Sequence, residues 1–147
     1  REVISHFLFF SERVLGPLSL LSAHTTYPDD PSLCETGVLA RLVTEKKQEV
    51  SILGTVGGAQ PDRQELTVKG TKTSRRVTDF HRDSISYGRD FTSLREPPED
   101  ARATSLKAQL DDLSLHFASK PNRLATMEEA FRVQTLVEGI LGETGER

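Results

Sequence analysis

Glu2 and His6 stand four residues apart, a separation that places two side chains on one face of a helix within reach of each other. A carboxylate beside an imidazole holds one tautomer and favours the protonated ring. An imidazole so held can serve as general base, taking a hydroxyl proton while hydride leaves the same carbon. The same spacing is also that of an ordinary exposed helix pair, worth about 0.2–0.5 kcal/mol. Spacing alone leaves both readings open.

Other residues able to do chemistry are scattered. His24, His81 and His116 lack the i, i+4 partner or the Cys and Asp company of a zinc site. Gly54-Thr-Val-Gly57-Gly58 is the nearest approach to a phosphate-cradling turn. It lacks GxGxxG spacing and runs into Pro61 and a strand pattern instead of a helix, so it reads as a sheet connection. The single cysteine, Cys34, has no partner for an internal disulfide and lies in a Pro- and Ser-containing loop pattern.

Bulk properties narrow the class. The chain has 147 residues, 35% of them hydrophobic and 28% charged, which suits one domain with one core. Nineteen basic against 22 acidic residues give a net charge of −3, the wrong sign for a phosphate-tracking surface, and nucleic acid is not expected as a partner. Apolar runs are short and broken by polar residues, so no membrane span is expected, and a cytoplasmic location follows as an expectation. The chain opens Arg1-Glu2-Val3-Ile4 without Met and inside a helical pattern, which suggests a piece of a longer polypeptide.

The candidate pair must be positioned by the elements around it. Val3, Ile4, Phe7, Leu8, Phe10, Val14 and Leu15 recur at helical spacing, and Gly16-Pro17 stops the helix. Strand-like runs follow at 18–26, 36–44 and 50–56, the last two joined by the polar turn Glu45-Lys46-Lys47-Gln48. Further strands are expected at 66–69, 75–78 and 84–87. After Pro97-Pro98 the period becomes helical, with Leu106, Leu110, Leu113 and Phe117 on one stripe. Pro121-Asn122 breaks that helix. Thr126 with Glu129 then forms a capping box ahead of a last helix carrying Ala130, Val133, Val137, Ile140 and Leu141. Strands clustered by short turns and flanked by helices predict an α+β domain: a mostly antiparallel open sheet of about five or six strands with helices packed on one face. Leu39 and Val43 alternate with Val38 and Leu42, so both sheet faces are apolar and the second wants a partner.

Read together, these segments resemble the C-terminal domain of the glucose-fructose oxidoreductase/inositol dehydrogenase/MocA (Gfo/Idh/MocA) family, a dihydrodipicolinate reductase/glyceraldehyde-3-phosphate dehydrogenase C-terminal-like fold. The helix bearing Glu2-Val-Ile-Ser-His6 looks like the one that carries that family's Asp-x-x-x-His pair. Gly37–Leu42 with its hairpin return, and Glu65-Leu-Thr-Val-Lys-Gly70-Thr71, are similar to its sheet. Pro121–Ala130 with Val133 and Val137–Leu141 is similar to its closing helix.

The resemblance implies a substrate and oligomerisation domain spanning 1–147, whose parent also has a Rossmann domain binding NAD or NADP and supplying a catalytic Lys. His6 would be the catalytic base or acid and Glu2 its orienting carboxylate. Ile4 stands where many members have Gly, and Phe9 where many have another Asp. A sugar- or polyol-like substrate and a homo-oligomer formed through the open sheet are implied, and the chain alone would hold no cofactor, no metal and no activity. Two rivals remain at this point: a non-enzymatic assembly module on the same fold, and an unrelated α+β ligand-binding domain with helices inside a cone-shaped sheet. A pocket with His6 at its floor would favour the enzyme; His6 directed to solvent would favour the module.

Overall fold

The computed structural model describes residues 2–30 and 32–142, the side chain of Glu2 excepted. The chain divides into two compact units, residues 1–59 with 125–147 and residues 60–124.

The first unit holds helix α1 (Glu2–Leu15), strands β1 (Leu18–Thr26), β2 (Gly37–Thr44) and β3 (Glu49–Thr55), and a helix from the far end of the chain, Met127–Gly142. The strands form an antiparallel meander in the order β1-β2-β3. Alternation along β2 sends Val38, Ala40, Leu42 and Thr44 inward, where all four are buried, and leaves Leu39 and Arg41 exposed. In β1 the register shifts between Leu20 and Ser22, leaving Leu21 as an extra residue. That bulge lets Leu18 and Leu20 before it, and Ala23 and Thr25 after it, all turn toward the helices. The core is Leu8 of α1, the inward residues of the sheet, and Val133, Leu136, Val137 and Ile140 of the last helix. The outer face keeps Leu21, Leu39 and Leu53 at 52%, 54% and 80% exposure, a two-faced apolar sheet with helices on one side, as the alternation predicts.

The second unit begins after a glycine-rich connection in which Gly57 and Gly58 adopt positive φ. Strands β4 (Glu65–Lys69), β5 (Ser74–Thr78), β6 (Arg82–Ser86) and the short β7 (Thr92–Ser93) form an antiparallel sheet of their own. The α+β class and antiparallel pairing are those read from the sequence. Where the sequence suggests one sheet of five or six strands, seven short ones divide between two ladders. The break falls at the connection with Gly57, Gly58 and Pro61, since a proline there has no amide to donate to a ladder.

Helix α2 (Ala101–Phe117) starts at Asp100, whose carboxylate accepts from the Ala103 amide at 2.8 Å. Its apolar stripe, Leu106, Leu110, Leu113 and Phe117, is exposed. The buried residue of α2 is Asp112, which accepts from Arg123 Nε at 3.0 Å and from the Arg123 amide at 3.2 Å. The closing helix, α3 (Met127–Gly142), opens with the reciprocal capping box expected from its sequence. Thr126 N donates to Glu129 Oε2 at 2.8 Å, and Glu129 N donates to Thr126 Oγ1 at 3.2 Å. Among the described residues no helix is long and apolar enough to cross a membrane.

Candidate functional site

α1 has two unlike faces because its apolar residues outnumber what one stripe can bury. Ile4, Leu8, Ser11 and Glu12 turn inward, and Leu8 is fully buried. Val3, His6, Phe10 and Val14 fall at i, i+3, i+7 and i+11 on the opposite side, and all four are exposed. The candidate imidazole thus stands in an outward apolar stripe, between Val3 and Phe10. Glu2 lies one turn earlier on the same helix by its backbone, and its side chain lies outside the described residues.

The helix under His6 is tied down at its far end. Gly16, with φ of +95°, ends α1 through a bond from its amide to the Glu12 carbonyl at 2.9 Å. The buried Glu12 carboxylate accepts from the Leu18 amide at 3.1 Å and from Arg132 Nε of α3 at 3.1 Å. Arg13 forks onto Glu129, with Nε to Oε1 at 3.0 Å and Nη2 to Oε2 at 2.7 Å. These two pairs join positions more than a hundred residues apart, and no local pattern announces them. At its near end α1 approaches the sheet over Gly54, where a Cβ would lie 3.1 Å from Val38 Cγ1 and 3.4 Å from Ile4 Cδ1. Gly54 is therefore a close-packing glycine in β3 and not part of a phosphate cradle. Ile4 and Phe9, where many members of the resembled family have Gly and Asp, pack against the core.

The Arg13 guanidinium, with the Thr126 amide, pushes the Glu129 carboxyl down to about 2 from its ordinary 4.5. A carboxyl depressed on folding stabilises the fold fully above its unfolded value. That contribution drains away as pH falls from about 4.5 toward 2. The gap in urea midpoint between wild type and Glu129→Gln is accordingly expected to be widest above pH 5 and to shrink steadily toward pH 2. A gap constant across that range would mean the Arg13 fork does not act through charge.

The other sequence candidates stay apart. His24 lies exposed on β1 opposite Leu39. His81 lies in the β5–β6 turn, its amide donating to the Thr78 carbonyl at 3.2 Å, and Asp79 and Phe80 there both have positive φ. His116 meets Phe117 edge-on with ring centroids 6.1 Å apart, and Cys34 is exposed. Among the described residues no group of three or more His, Cys, Asp or Glu side chains is placed to hold a metal. A cavity of about 20 Å³ lies among Ile4, Thr25, Glu35, Val38, Val137, Ile140 and Leu141. It has room for about one water, far short of a sugar, and His6 does not line it. His6 is exposed instead, the placement that the sequence reading assigns to the assembly module and not to a base at a pocket floor.

No protein-family profile matches the sequence, and no curated protein does. Solved structures do. The chain is similar to a dehydrogenase (MviM) from Clostridium difficile, with a TM-score of 0.76 and 11% identity over 95% of this chain and 46% of that one. It is similar to KijD10, a 3-ketoreductase from Actinomadura kijaniata solved with NADP and TDP-benzene, with a TM-score of 0.69 and 15% identity over 95% of this chain and 44% of that one. It is also similar to the WlbA dehydrogenase from Bordetella pertussis, solved with NADH and UDP-GlcNAcA, with a TM-score of 0.69 and 17% identity over 95% of this chain and 43% of that one. The chain spans less than half the length of each. At these identities the likeness establishes the fold alone.

Proposed function

We propose that this chain is the substrate and oligomerisation domain of an NAD(P)-dependent oxidoreductase of the Gfo/Idh/MocA kind, acting in the cytoplasm on a sugar, polyol or related hydroxy compound. His6 exchanges the substrate hydroxyl proton, and Glu2 orients it. The carrying observation is the fold, shared along 95% of this chain with enzymes solved with NADP or NADH; the exposure of His6 outside the cavity is the placement that the assembly-module reading expects. A general base needs a fixed ring and a water-excluding wall. Val3, Phe10 and Val14 offer apolar surface for one side of such a wall. The cofactor, NAD or NADP, would be held mainly by residues outside this chain, as would the wall facing His6.

The test is NAD- and NADP-linked turnover of a panel of sugars, sugar nucleotides and polyols by the natural polypeptide that contains this chain, with and without His6→Ala. The chain by itself is expected to be silent. Loss of activity on His6→Ala supports the reading, and full activity without His6 refutes it.

The outer sheet face favours one further element, and it is also what an assembly module without catalysis would show. Leu39 sits between His24 and Leu53 in cross-strand register, and Leu39, Leu53 and the bulge residue Leu21 are all exposed. Homo-oligomers through this face would bury it. Light scattering is expected to give a dimer or larger, and Leu39→Glu to bring the mass down to that of one chain, because a charge buried there lacks a partner. A wild-type monomer would remove oligomerisation from the proposal. A dimer coupled with inactivity of the natural polypeptide would favour the assembly module.

A further inference from the structure

On one face of the second sheet every paired strand residue is polar. Cross-strand register aligns Thr67, Arg76, Ser84 and Ser93 in one row, Glu65, Thr78 and Arg82 in the next, and Lys69, Ser74 and Ser86 in a third. The opposite face takes Leu66, Val68, Val77 and Ile85. A polar sheet face is ordinarily a solvated one, with long charged side chains free to sweep through water. Arg76, at its centre, is not free.

Its guanidinium carbon lies 3.9 Å from the centroid of the Phe91 ring, a stacked arrangement. Its Nε is 3.3 Å from Thr67 Oγ1 and 3.3 Å from Glu65 Oε1. The guanidinium plane is therefore fixed by contacts at Nε and on one face. Among the described residues its two terminal nitrogens donate to no protein acceptor, and the side chain keeps 33% of its exposure. The neighbouring carboxylate, Glu65, is shared between Arg76 and Arg63, so the two guanidiniums together keep one net positive charge. Glu65 is gripped by Arg63 Nη2 at 2.6 Å and by the Thr67 hydroxyl at 3.1 Å. Lys69 and Arg82 lie on the same face, Arg82 paired with Asp79 at 3.7 Å, so the four cations there outnumber the two carboxylates. A held planar fork with open ends, in a net positive hydroxyl-rich setting, matches a group with two charged acceptor oxygens side by side.

We infer that Arg76 is the fork of an oxyanion-binding site on this face, which takes the carboxylate or phosphate of a small ligand through the two terminal guanidinium nitrogens. Phe91 and Thr67 are its positioning residues: they hold the guanidinium plane, so that little side-chain freedom is lost when the anion docks. The inference is independent of the oxidoreductase reading and stands or falls without it.

The test uses the whole chain, labelled for amide and arginine Nε resonances. It is titrated separately with inorganic phosphate and with malonate, each against sodium chloride at matched ionic strength. Saturable shifts centred on Thr67, Arg76 and Ser84 are expected with at least one probe. The probe that saturates tells phosphate from carboxylate. Arg76→Gln is expected to weaken binding about tenfold or more, and Arg76→Lys nearly as much, since a point charge lacks the fork. Arg75→Gln, which removes a cation from the opposite face, should change binding less than twofold. Arg76→Lys also covers the case in which Arg76→Gln fails to fold. Shifts that follow chloride equally, or that survive Arg76→Lys undiminished, would reduce the face to a diffuse basic surface and overturn the inference.

Discussion

Replacing His6 with Ala is expected to lower kcat in the natural polypeptide by about 10²–10⁴-fold while moving KM little. The magnitude is that of losing a positioned proton acceptor in the transition state. The KM split follows because an imidazole that receives a proton only as the C–H bond breaks contributes little to ground-state binding. A structural role would behave differently. His6 is exposed, and the buried residues of α1 are Leu8, Ser11 and Glu12, so His6→Ala should shift unfolding by no more than about 0.5 kcal/mol. An enzyme that turns over normally without His6, or that loses activity only through unfolding, would move the chemistry elsewhere on the chain.

What the sequence discloses about this site is its local part. Helical spacing placed Glu2 and His6 on one helix, and Gly16-Pro17 marked its end within a residue. The Thr126–Glu129 capping box was legible because both bonds close within one turn. The β2–β3 hairpin was legible because alternation and a polar turn agree. What escaped is non-local. Nothing near Glu12 indicates Arg132, and nothing near Arg13 indicates Glu129. Gly54 reads as loop punctuation until Ile4 is seen lying over it. The strand count was close, yet the division into two ladders depends on which edges pair, and short polar strands such as Arg82–Ser86 and Thr92–Ser93 carry little alternation to reveal it. In α2 the apolar stripe suggests a buried face. The buried position is Asp112, because its partner Arg123 lies beyond the helix, after the Pro121 break.

The largest stability effect is expected at one of those non-local contacts. Arg132→Ala should cost about 3 kcal/mol, because it leaves a buried carboxylate with only an amide for company. The Glu12 side chain is 4% exposed, against 43% for Arg132, so the pair is asymmetric. Removing the arginine strands a charge in the core, whereas removing the carboxylate leaves a cation that can turn to water. Glu12→Gln should accordingly cost only about 1 kcal/mol, its amide oxygen still able to accept from the Leu18 amide. The double change Glu12→Gln with Arg132→Ala should be more stable than Arg132→Ala alone, a departure from additivity that urea unfolding can measure. Since α1 hangs on this contact, the single Arg132→Ala change should also loosen the platform beneath His6. In the natural polypeptide kcat would then fall without any group near the substrate having been altered, and would recover in part in the double variant. If the two changes were simply additive, Glu12 and Arg132 would not act as a pair, and the anchoring of His6 would rest on Leu8 and the Arg13–Glu129 fork alone.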